Sequence, residues 1–265
     1  MDMKRLDELT AAQFHLTPEE ATGLIMAGRI WIGPLPADKP GTPVPADTVL
    51  TLREKAKKFA SRSGYKLERA LEVFSVSPAG LTVCDIGASN GGFTDCLLQH
   101  GAAHVFAVDV AYGILAWELR RDARVTVLER TNARHLTAEQ LGRTCQMATA
   151  DVSFISLKKI FPAVDRILEP DGVCLCLVKP QFEAHPKELG KNGILRDPAV
   201  LPPLLESLAA SAAENNLMLD GLTVSPIHGT NGNVEYLACL RRRSAHTREE
   251  WPAMIAAAAA LRPDD

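Results

Sequence analysis

The feature that most constrains how this chain folds is the stretch 81–94, an apolar run that ends in a glycine-dense turn. Residues 81–86 predict a buried strand, and the apolar spacing after the turn predicts a helix. A strand, a tight turn and a helix in this order receive nucleotide-like ligands at the carboxyl end of the strand. Asp85 falls at that end, and three glycines let the backbone approach a ligand closely: Gly87, Gly91 and Gly92.

Several kinds of site compete for this turn. A nicotinamide site requires G-x-G-x-x-G, but Ser89 stands where the middle glycine would admit a pyrophosphate. Residues 87–91 also match G-x-S-x-G, the nucleophile elbow of hydrolases, although here the elbow would follow the first strand of its domain. An S-adenosylmethionine site needs a second acidic strand end to hold ribose hydroxyls, and Asp109 after the next apolar run provides one. This third hypothesis is favoured, and a purely structural turn stays open.

Strands and helices alternate after residue 81, which predicts an α/β fold with a mostly parallel sheet covered by helices on both faces. The last two predicted strands have Pro226, Gly229 and Gly232 between them instead of a long helix, so they should form an antiparallel hairpin. The predicted strands are 81–86, 103–109, 124–128, 146–151, 172–179, 218–225 and 233–240.

The composition argues against a membrane-spanning protein and against a uniformly basic one. No apolar run approaches the ~18 residues of a membrane span, and residues 1–5 lead into a helix without a signal peptide. The net charge of −3 means that any RNA contact must come from a local patch. Six cysteines without a C-x-x-C pair indicate buried thiols of a cytoplasmic protein, with no metal site and no disulfides.

Residues 1–52 predict a small α+β domain, in which residues 17–20 begin the second of two helices with a capping box. This segment resembles the small RNA-binding domain of a small-subunit ribosomal protein, which also occurs in pseudouridine synthases and some RNA methyltransferases. It departs from that family at Pro18, Glu19 and Glu20, where arginines are usual, so a vestigial or protein-binding module is the alternative. The segments that carry the resemblance are 5–7, 24–30 and 38–42.

Residues 53–69 form the most basic stretch of the chain, and 53–62 predicts a linker. A solvated helix would have the same composition, but the position of the stretch next to a predicted RNA module favours contact with phosphates. The candidate RNA-binding residues are Arg5, Arg29, Lys57, Lys58 and Arg62.

Four charged residues fall where the predicted sheet would bring them together. Asp151 ends the fourth predicted strand, Lys179 ends the fifth, Glu235 lies on the last, and Lys66 is at the start of a helix over 67–74. The carboxyl ends of parallel strands share one edge of a sheet, so we expect these charges around the glycine turn. For each taken alone, a routine surface charge or ion pair is the alternative.

These motifs, in this order, resemble the TlyA/hemolysin-A family, which is related to FtsJ-type ribose methyltransferases. The resemblance covers residues 1–240 and implies a class I (Rossmann-like) methyltransferase domain with a seven-stranded sheet over 63–243, followed by a helical tail over 244–265. It also implies S-adenosylmethionine-dependent 2′-O-methylation of ribosomal RNA by the tetrad Lys66, Asp151, Lys179 and Glu235. The segments that carry the resemblance are 63–66, 85–94, 129–134, 151–157, 178–183 and 232–236.

The residue types suit that reaction. A ribose 2′-hydroxyl is a poor nucleophile, so a base should take its proton as the methyl group transfers. Lys179 is the predicted base, because burial beside another cation favours the neutral amine. Asp151 would hold this lysine in position, and Lys66 with Glu235 would orient the lysine and the ribose. The predicted cofactor-binding residues are Asp85, Gly87, Ala88, Ser89, Asn90, Gly91, Gly92, Phe93, Asp109, Val110, Asn132 and Asp151.

Three aromatic residues, Phe154, Phe182 and Tyr236, fit either stacking on a flipped nucleotide or packing in the core. The polar segment 184–198 predicts a mobile loop on the substrate side. Two other functions compete with the enzyme: a membrane-active hemolysin, and an RNA- or ribosome-binding protein without turnover. The sequence also leaves a homodimer open.

Overall fold

The computed structural model describes residues 3–26, 29–33, 35–37, 39–52, 58–229 and 232–263, apart from the side chains of Pro36 and Asn192. The chain divides into two compact units, residues 1–58 and 59–265. The first unit has a small hydrophobic core, and the second has two larger ones.

The described residues of the first unit form two helices and five short strands. Its core is formed by side chains such as Leu6, Ile25 and Ile30. The second helix begins with the predicted capping box, in which Thr17 N–H donates to Glu20 at 2.8 Å. β1 pairs with β4, and the order β3-β2-β5 forms a second antiparallel sheet. The elements are β1 (Met3–Arg5), α1 (Leu6–Phe14), α2 (Pro18–Met26), β2 (Ile30–Ile32), β3 (Leu35–Pro36), β4 (Pro43–Pro45) and β5 (Leu50–Leu52).

The second unit is built on a seven-stranded sheet in the order β11-β12-β10-β9-β6-β7-β8. β12 runs antiparallel to both of its neighbours, and the pairs among β10, β9, β6, β7 and β8 are parallel. The predicted α/β fold and the hairpin of the last two strands are therefore confirmed. The strands are β6 (Thr82–Ile86), β7 (His104–Val108), β8 (Val125–Leu128), β9 (Cys145–Ala150), β10 (Leu168–Val178), β11 (Met218–Val224) and β12 (Tyr236–Arg241).

Helices cover both faces of this sheet because successive side chains of a strand point to opposite sides. On β10, Cys174 and Cys176 enter the core that contains α9 and α10, whereas Leu175 and Leu177 enter the core that contains α3 and α4. The helices are α3 (Ser63–Val73), α4 (Gly92–Gln99), α5 (Trp117–Arg120), α6 (Ala138–Leu141), α7 (Phe161–Ile167), α8 (Pro180–Glu183), α9 (Leu201–Ala213) and α10 (Trp251–Ala260).

Several element boundaries differ from the predictions and change the setting of site residues. β7, β9 and β10 each end one residue earlier than predicted, so Asp109, Asp151 and Lys179 immediately follow these strands. α3 begins at Ser63, so Lys66 lies inside its first turn and not before the helix. β12 begins at Tyr236, so Glu235 immediately precedes this strand. The helix of the predicted tail, α10, packs on the sheet unit, where the indole N–H of Trp251 donates to the Leu219 carbonyl at 3.2 Å.

All six cysteines are buried. Burial raises the pKa of Cys145 and Cys239 to about 12, which keeps both thiols protonated. Within the described part of the chain, no three His, Cys, Asp or Glu side chains gather closely enough to hold a metal ion. None of the helices described is both long enough and apolar enough to cross a bilayer.

Candidate active site

Two adjoining cavities open at the carboxyl edge of the sheet. The first, of about 280 Å³, is lined by Asp109, Val110 and Asn132 and is called the Asp109 cavity. The second, of about 300 Å³, contains the four predicted catalytic residues and is called the tetrad cavity. Three residues line both cavities, so the two spaces meet at the glycine turn and the end of β9: Gly87, Ser89 and Asp151.

The glycine turn is shaped by close approaches of the backbone. Gly87 has a φ of +84°, and a Cβ there would lie 2.4 Å from the carbonyl oxygen of Asp151. A Cβ on Gly92 would lie 2.1 Å from the Ser63 hydroxyl and 2.2 Å from the Ser61 hydroxyl. Glycine at position 87 therefore lets the turn approach the end of β9, and glycine at position 92 lets the start of α4 approach the start of α3.

Asp109 is held in place by the backbone. Its two carboxylate oxygens accept hydrogen bonds from the Ser89 amide at 2.7 Å and the Ala111 amide at 2.8 Å. Asn132 caps a short 3₁₀ turn by accepting a bond from the Arg134 amide at 3.2 Å. Asp109 and Asn132, both predicted to bind the cofactor, therefore line one cavity, and hydrogen bonds to the backbone hold them in place.

Asp85 occupies a different environment from the one expected. Its carboxylate is fully buried and accepts hydrogen bonds from the hydroxyls of Thr94 at 2.7 Å and Thr149 at 2.8 Å. Burial raises its pKa from 3.8 to about 6. Asp85 therefore joins β6 to α4 and β9, whereas the sequence predicts a ligand contact there. Of the other predicted cofactor residues, Gly91 and Gly92 also line neither cavity and act on the shape of the turn.

The tetrad consists of two lysine–carboxylate pairs. Lys66 Nζ donates to Glu235 Oε2 at 2.5 Å, and both residues are almost fully buried. Lys179 Nζ lies 2.7 Å from Asp151 Oδ1 in an ion pair whose angles are not those of a hydrogen bond. Lys179 also donates to the Ser153 hydroxyl at 2.9 Å. The structure thus brings together all four side chains that the sequence assigned to catalysis.

Sequence reasoning missed two residues that touch the tetrad. Ser153 was part of a matching motif, but its contact with Lys179 depends on the turn after β9. Gly229 lies against Glu235, and a Cβ at this position would be 2.2 Å from Glu235 Oε1. A glycine six residues before the glutamate carries no signal of its own, because the contact is created by the connection between β11 and β12.

The five candidate RNA-binding residues fall in different places. Arg62 is exposed and lines the tetrad cavity, where it adds a third cation to the two carboxylates. Arg5, in the first unit, is paired with Asp7 at 2.6 Å, and the guanidinium lowers the pKa of that carboxyl group. Arg29 and Lys58 also belong to the first unit. Lys57 lies outside the described residues.

The three aromatic candidates separate clearly. Phe154 lines the Asp109 cavity, is 92% exposed and has a φ of +64°, which is unusual for a bulky residue. Its ring lies 5.2 Å from that of the half-buried Phe182. Tyr236 is buried in the core. Of the three, Phe154 therefore presents the most open aromatic surface beside the site.

Comparison with known proteins identifies relatives that span most of the chain. YqxC of Bacillus subtilis is 46% identical over 236 residues, covering 88% of this chain and 84% of the relative. The 16S/23S rRNA (cytidine-2′-O)-methyltransferase TlyA of Mycobacterium tuberculosis is 44% identical, covering 89% of each. A solved structure from Streptococcus thermophilus that carries the name hemolysin is 39% identical and covers 97% of this chain and 96% of that one, with a TM-score of 0.73.

The family model of the FtsJ-like methyltransferases matches residues 59–242, which is nearly the whole sheet unit. The predictions of an FtsJ-type enzyme and of S-adenosylmethionine as its cofactor are thereby confirmed. The seven-stranded sheet, the glycine turn and this match agree, and the chain belongs to the FtsJ-like methyltransferase family.

Proposed function

We propose that the protein methylates a ribose 2′-hydroxyl of ribosomal RNA. The observation that carries this proposal is the convergence of Lys66, Asp151, Lys179 and Glu235 on a cavity that adjoins the Asp109 cavity. The name of the Mycobacterium tuberculosis relative, an rRNA (cytidine-2′-O)-methyltransferase, supports the same substrate class. A ribosomal substrate also agrees with the predicted cytoplasmic location.

The residues of the two cavities fit S-adenosylmethionine. Each oxygen of Asp109 accepts one backbone amide bond and keeps a lone pair for a ribose hydroxyl. Val110 and Asn132 would flank the adenine, and Ser89 with Asn90 would face the methionine part at the tetrad cavity. The bound cofactor supplies a methyl group on a positively charged sulfur.

Lys179 is placed to take the proton of the 2′-hydroxyl. Its amine lines the tetrad cavity, while Asp151 and Ser153 fix its position from the protein side. In its unprotonated form, the Lys179 amine would accept the proton that the hydroxyl oxygen releases. The methyl group would come from the bound cofactor, whose sulfur would keep the electron pair of the broken bond. Alignment of the hydroxyl with the methyl group supplies much of the remaining rate.

Lys66 and Glu235 line the tetrad cavity as a second pair and help to fix its shape. The pair joins α3 to the start of β12 over a sequence separation of 169 residues. Because both groups are buried and satisfy each other, they hold the reaction site in shape more than they exchange protons with a substrate. This division of roles assigns binding and orientation to one pair and proton transfer to the other.

RNA contacts at the site would come from Arg62 and Phe154. Arg62 at the tetrad cavity can contact a phosphate of the RNA. The exposed ring of Phe154 can stack on a base that has been turned out of its helix. We assign further RNA contacts to Arg5 and Arg29 in the small domain, residues 1–52, and to Lys57 and Lys58 in the linker, residues 53–62. Residues 63–243 would form the catalytic domain, and 244–265 the tail.

The test is transfer of labelled methyl from S-adenosylmethionine to purified ribosomal subunits, followed by digestion to nucleosides. We expect label in a 2′-O-methylated nucleoside, and loss of at least 100-fold of the rate in Lys179→Met. Lys158→Met is the matched control, because Lys158 also donates to a serine hydroxyl, Ser207 at 2.8 Å, but lines neither cavity. Label on a base, or no transfer despite cofactor binding, would contradict the proposal.

A second candidate function is the membrane activity that the name hemolysin suggests for the Streptococcus thermophilus structure. Erythrocyte lysis by the purified protein is the direct test. Lysis that persists in Lys179→Met while methyl transfer is absent from the wild type would favour this candidate. Cofactor binding without turnover and without lysis would instead favour a ribosome-binding protein.

A further inference from the structure

An exposed aromatic surface follows β7 and borders the Asp109 cavity. Tyr112 is 67% exposed and Trp117 is 64% exposed. Val110, which precedes Tyr112 in the chain, and Ile114, which lies between Tyr112 and Trp117, line the cavity. Trp251 of the same unit is only 5% exposed. Large apolar side chains that are exposed together on one segment, as here, mark an interaction site, whereas a single exposed one does not.

An arginine guanidinium lies over each of the two exposed rings. The guanidinium of Arg121 lies 5.7 Å from the centre of the Trp117 ring, and that of Arg130 lies 4.3 Å from the centre of the Tyr112 ring. A guanidinium stacked on an aromatic ring presents a flat surface together with a positive charge. Bases stack on such surfaces in proteins that bind single-stranded nucleic acids, and the charge attracts the phosphate.

The segment that carries these pairs is fixed to the sheet. Arg120 forms an ion pair with Glu129, and the same carboxylate accepts a hydrogen bond from the Gly113 amide at 2.8 Å. Arg120 therefore helps to fix this segment through Glu129, and its charge is already paired and is not offered to a ligand. Among the described residues, no carboxylate lies within ion-pair distance of Arg121, so its charge is available to a partner.

We propose that Trp117 with Arg121, and Tyr112 with Arg130, form a stacking surface that binds an unpaired nucleotide of the RNA substrate. This nucleotide is not the methylated one, whose ribose must reach the tetrad cavity. The charge of the two arginines and the flatness of the two rings favour RNA over an apolar protein partner. The inference rests on the proposed function, because it assigns a second contact to the same substrate.

The test compares the affinity of Trp117→Ala, Trp117→Phe and Arg121→Ala for protein-free rRNA over a range of salt concentrations. Trp117→Ala should bind about 5- to 150-fold more weakly, and Trp117→Phe should recover most of this loss. Arg121→Ala should reduce the slope of log affinity against log salt by about 1, while Trp117→Ala leaves the slope unchanged. The affinity for S-adenosylmethionine should be the same in all three variants.

The chain offers a matched control in its buried tryptophan. Arg248 lies 5.5 Å from the centre of the Trp251 ring, which is shielded from solvent, so Arg248→Ala should bind rRNA like the wild type. Unchanged rRNA affinity in Trp117→Ala would overturn the proposal, and so would a loss that phenylalanine does not recover. An effect confined to whole subunits would indicate a protein contact and overturn it as well.

Failure of this inference can be told apart from failure of the proposed function. If the wild type methylates rRNA but Trp117→Ala has the same KM for RNA, the surface is not a substrate contact. If the wild type transfers no methyl group to any rRNA, the proposed function itself fails.

Discussion

The two lysine–carboxylate pairs of the tetrad share their chemistry but differ in their surroundings. The side chains of Lys66 and Glu235 are 7% and 3% exposed, whereas those of Lys179 and Asp151 are 11% and 16% exposed. Both pairs line the tetrad cavity, but protein covers more of the first pair. The second lies where a substrate can reach it and shares its lysine with Ser153. This difference agrees with the proposal that one pair holds the site together and the other reacts.

Physical chemistry gives each pair a distinct signature. Removing one partner of a buried pair leaves an uncompensated charge away from water, which is strongly destabilising. Removing one partner of a pair that water can reach costs less stability, because solvent replaces the lost partner. Stability and activity measured together therefore separate a positioning pair from a reacting pair.

The largest expected effect on stability comes from breaking the enclosed pair. Lys66→Met should lower the free energy of unfolding by about 3–5 kcal/mol, because Glu235 would stay buried without its partner. Urea denaturation followed by circular dichroism measures this change. The double variant Lys66→Met/Glu235→Leu should recover most of the stability while remaining inactive. A loss of less than 1 kcal/mol in the single variant would mean that the pair is not enclosed as described.

Asp85 sharpens the comparison, because it is a buried carboxylate held by hydroxyls and not by a lysine. Its folded-state pKa, about 6, exceeds the ordinary 3.8, so the folded protein binds this proton more tightly than the unfolded chain does. The stability that this proton contributes is present below pH 4 and is lost as the pH rises through 6. Asp85→Asn should therefore gain stability relative to the wild type, by up to about 3 kcal/mol between pH 4 and pH 8.

Chemical unfolding of both proteins across this pH range tests the prediction. Glu183→Gln is a useful companion, because burial also raises the pKa of Glu183 and should give a change of the same sign. A stability difference between Asp85→Asn and the wild type that does not vary with pH would show that Asp85 is not enclosed.

A smaller effect is expected from the glycine beside the enclosed pair. A Cβ on Gly229 would lie 2.2 Å from Glu235 Oε1, so Gly229→Ala must displace that carboxylate. We expect a stability loss of about 1–3 kcal/mol and weaker methyl transfer. Gly23→Ala is the control, because a Cβ at Gly23 meets nothing within 4 Å. Wild-type activity in Gly229→Ala would show that the position of Glu235 does not matter to the reaction.

The sequence was sufficient to predict those site residues whose position follows from the order of the strands alone. Asp109, Asp151 and Lys179 follow parallel strands, and such strands end at one edge of the sheet, so their convergence required no knowledge of side-chain contacts. Glu235 reached the same edge although its strand begins at Tyr236, three residues later than predicted. Lys66 did so because α3 begins at Ser63, with Gly92 allowing the start of α4 to approach it.

Features that depend on contacts between distant side chains were out of reach. The sequence gives no sign that Thr94 and Thr149 close around Asp85, because the pairing of β6 with β9 brings one of them there. In the first unit, β1, β3 and β4 are two or three residues long, too short for an alternating apolar pattern. The exposure of Trp117 also follows from packing, since a tryptophan at a helix start is equally compatible with a core position.

The most direct test of the division of roles is the single-turnover rate of methyl transfer, measured beside the unfolding free energy in Lys179→Met and Lys66→Met. We expect the rate of Lys179→Met to fall by about 100- to 10,000-fold, and we expect this variant to keep more stability than Lys66→Met. A Lys179→Met protein that transfers methyl within tenfold of the wild-type rate would contradict the account, because the accessible pair would then not be the one that reacts.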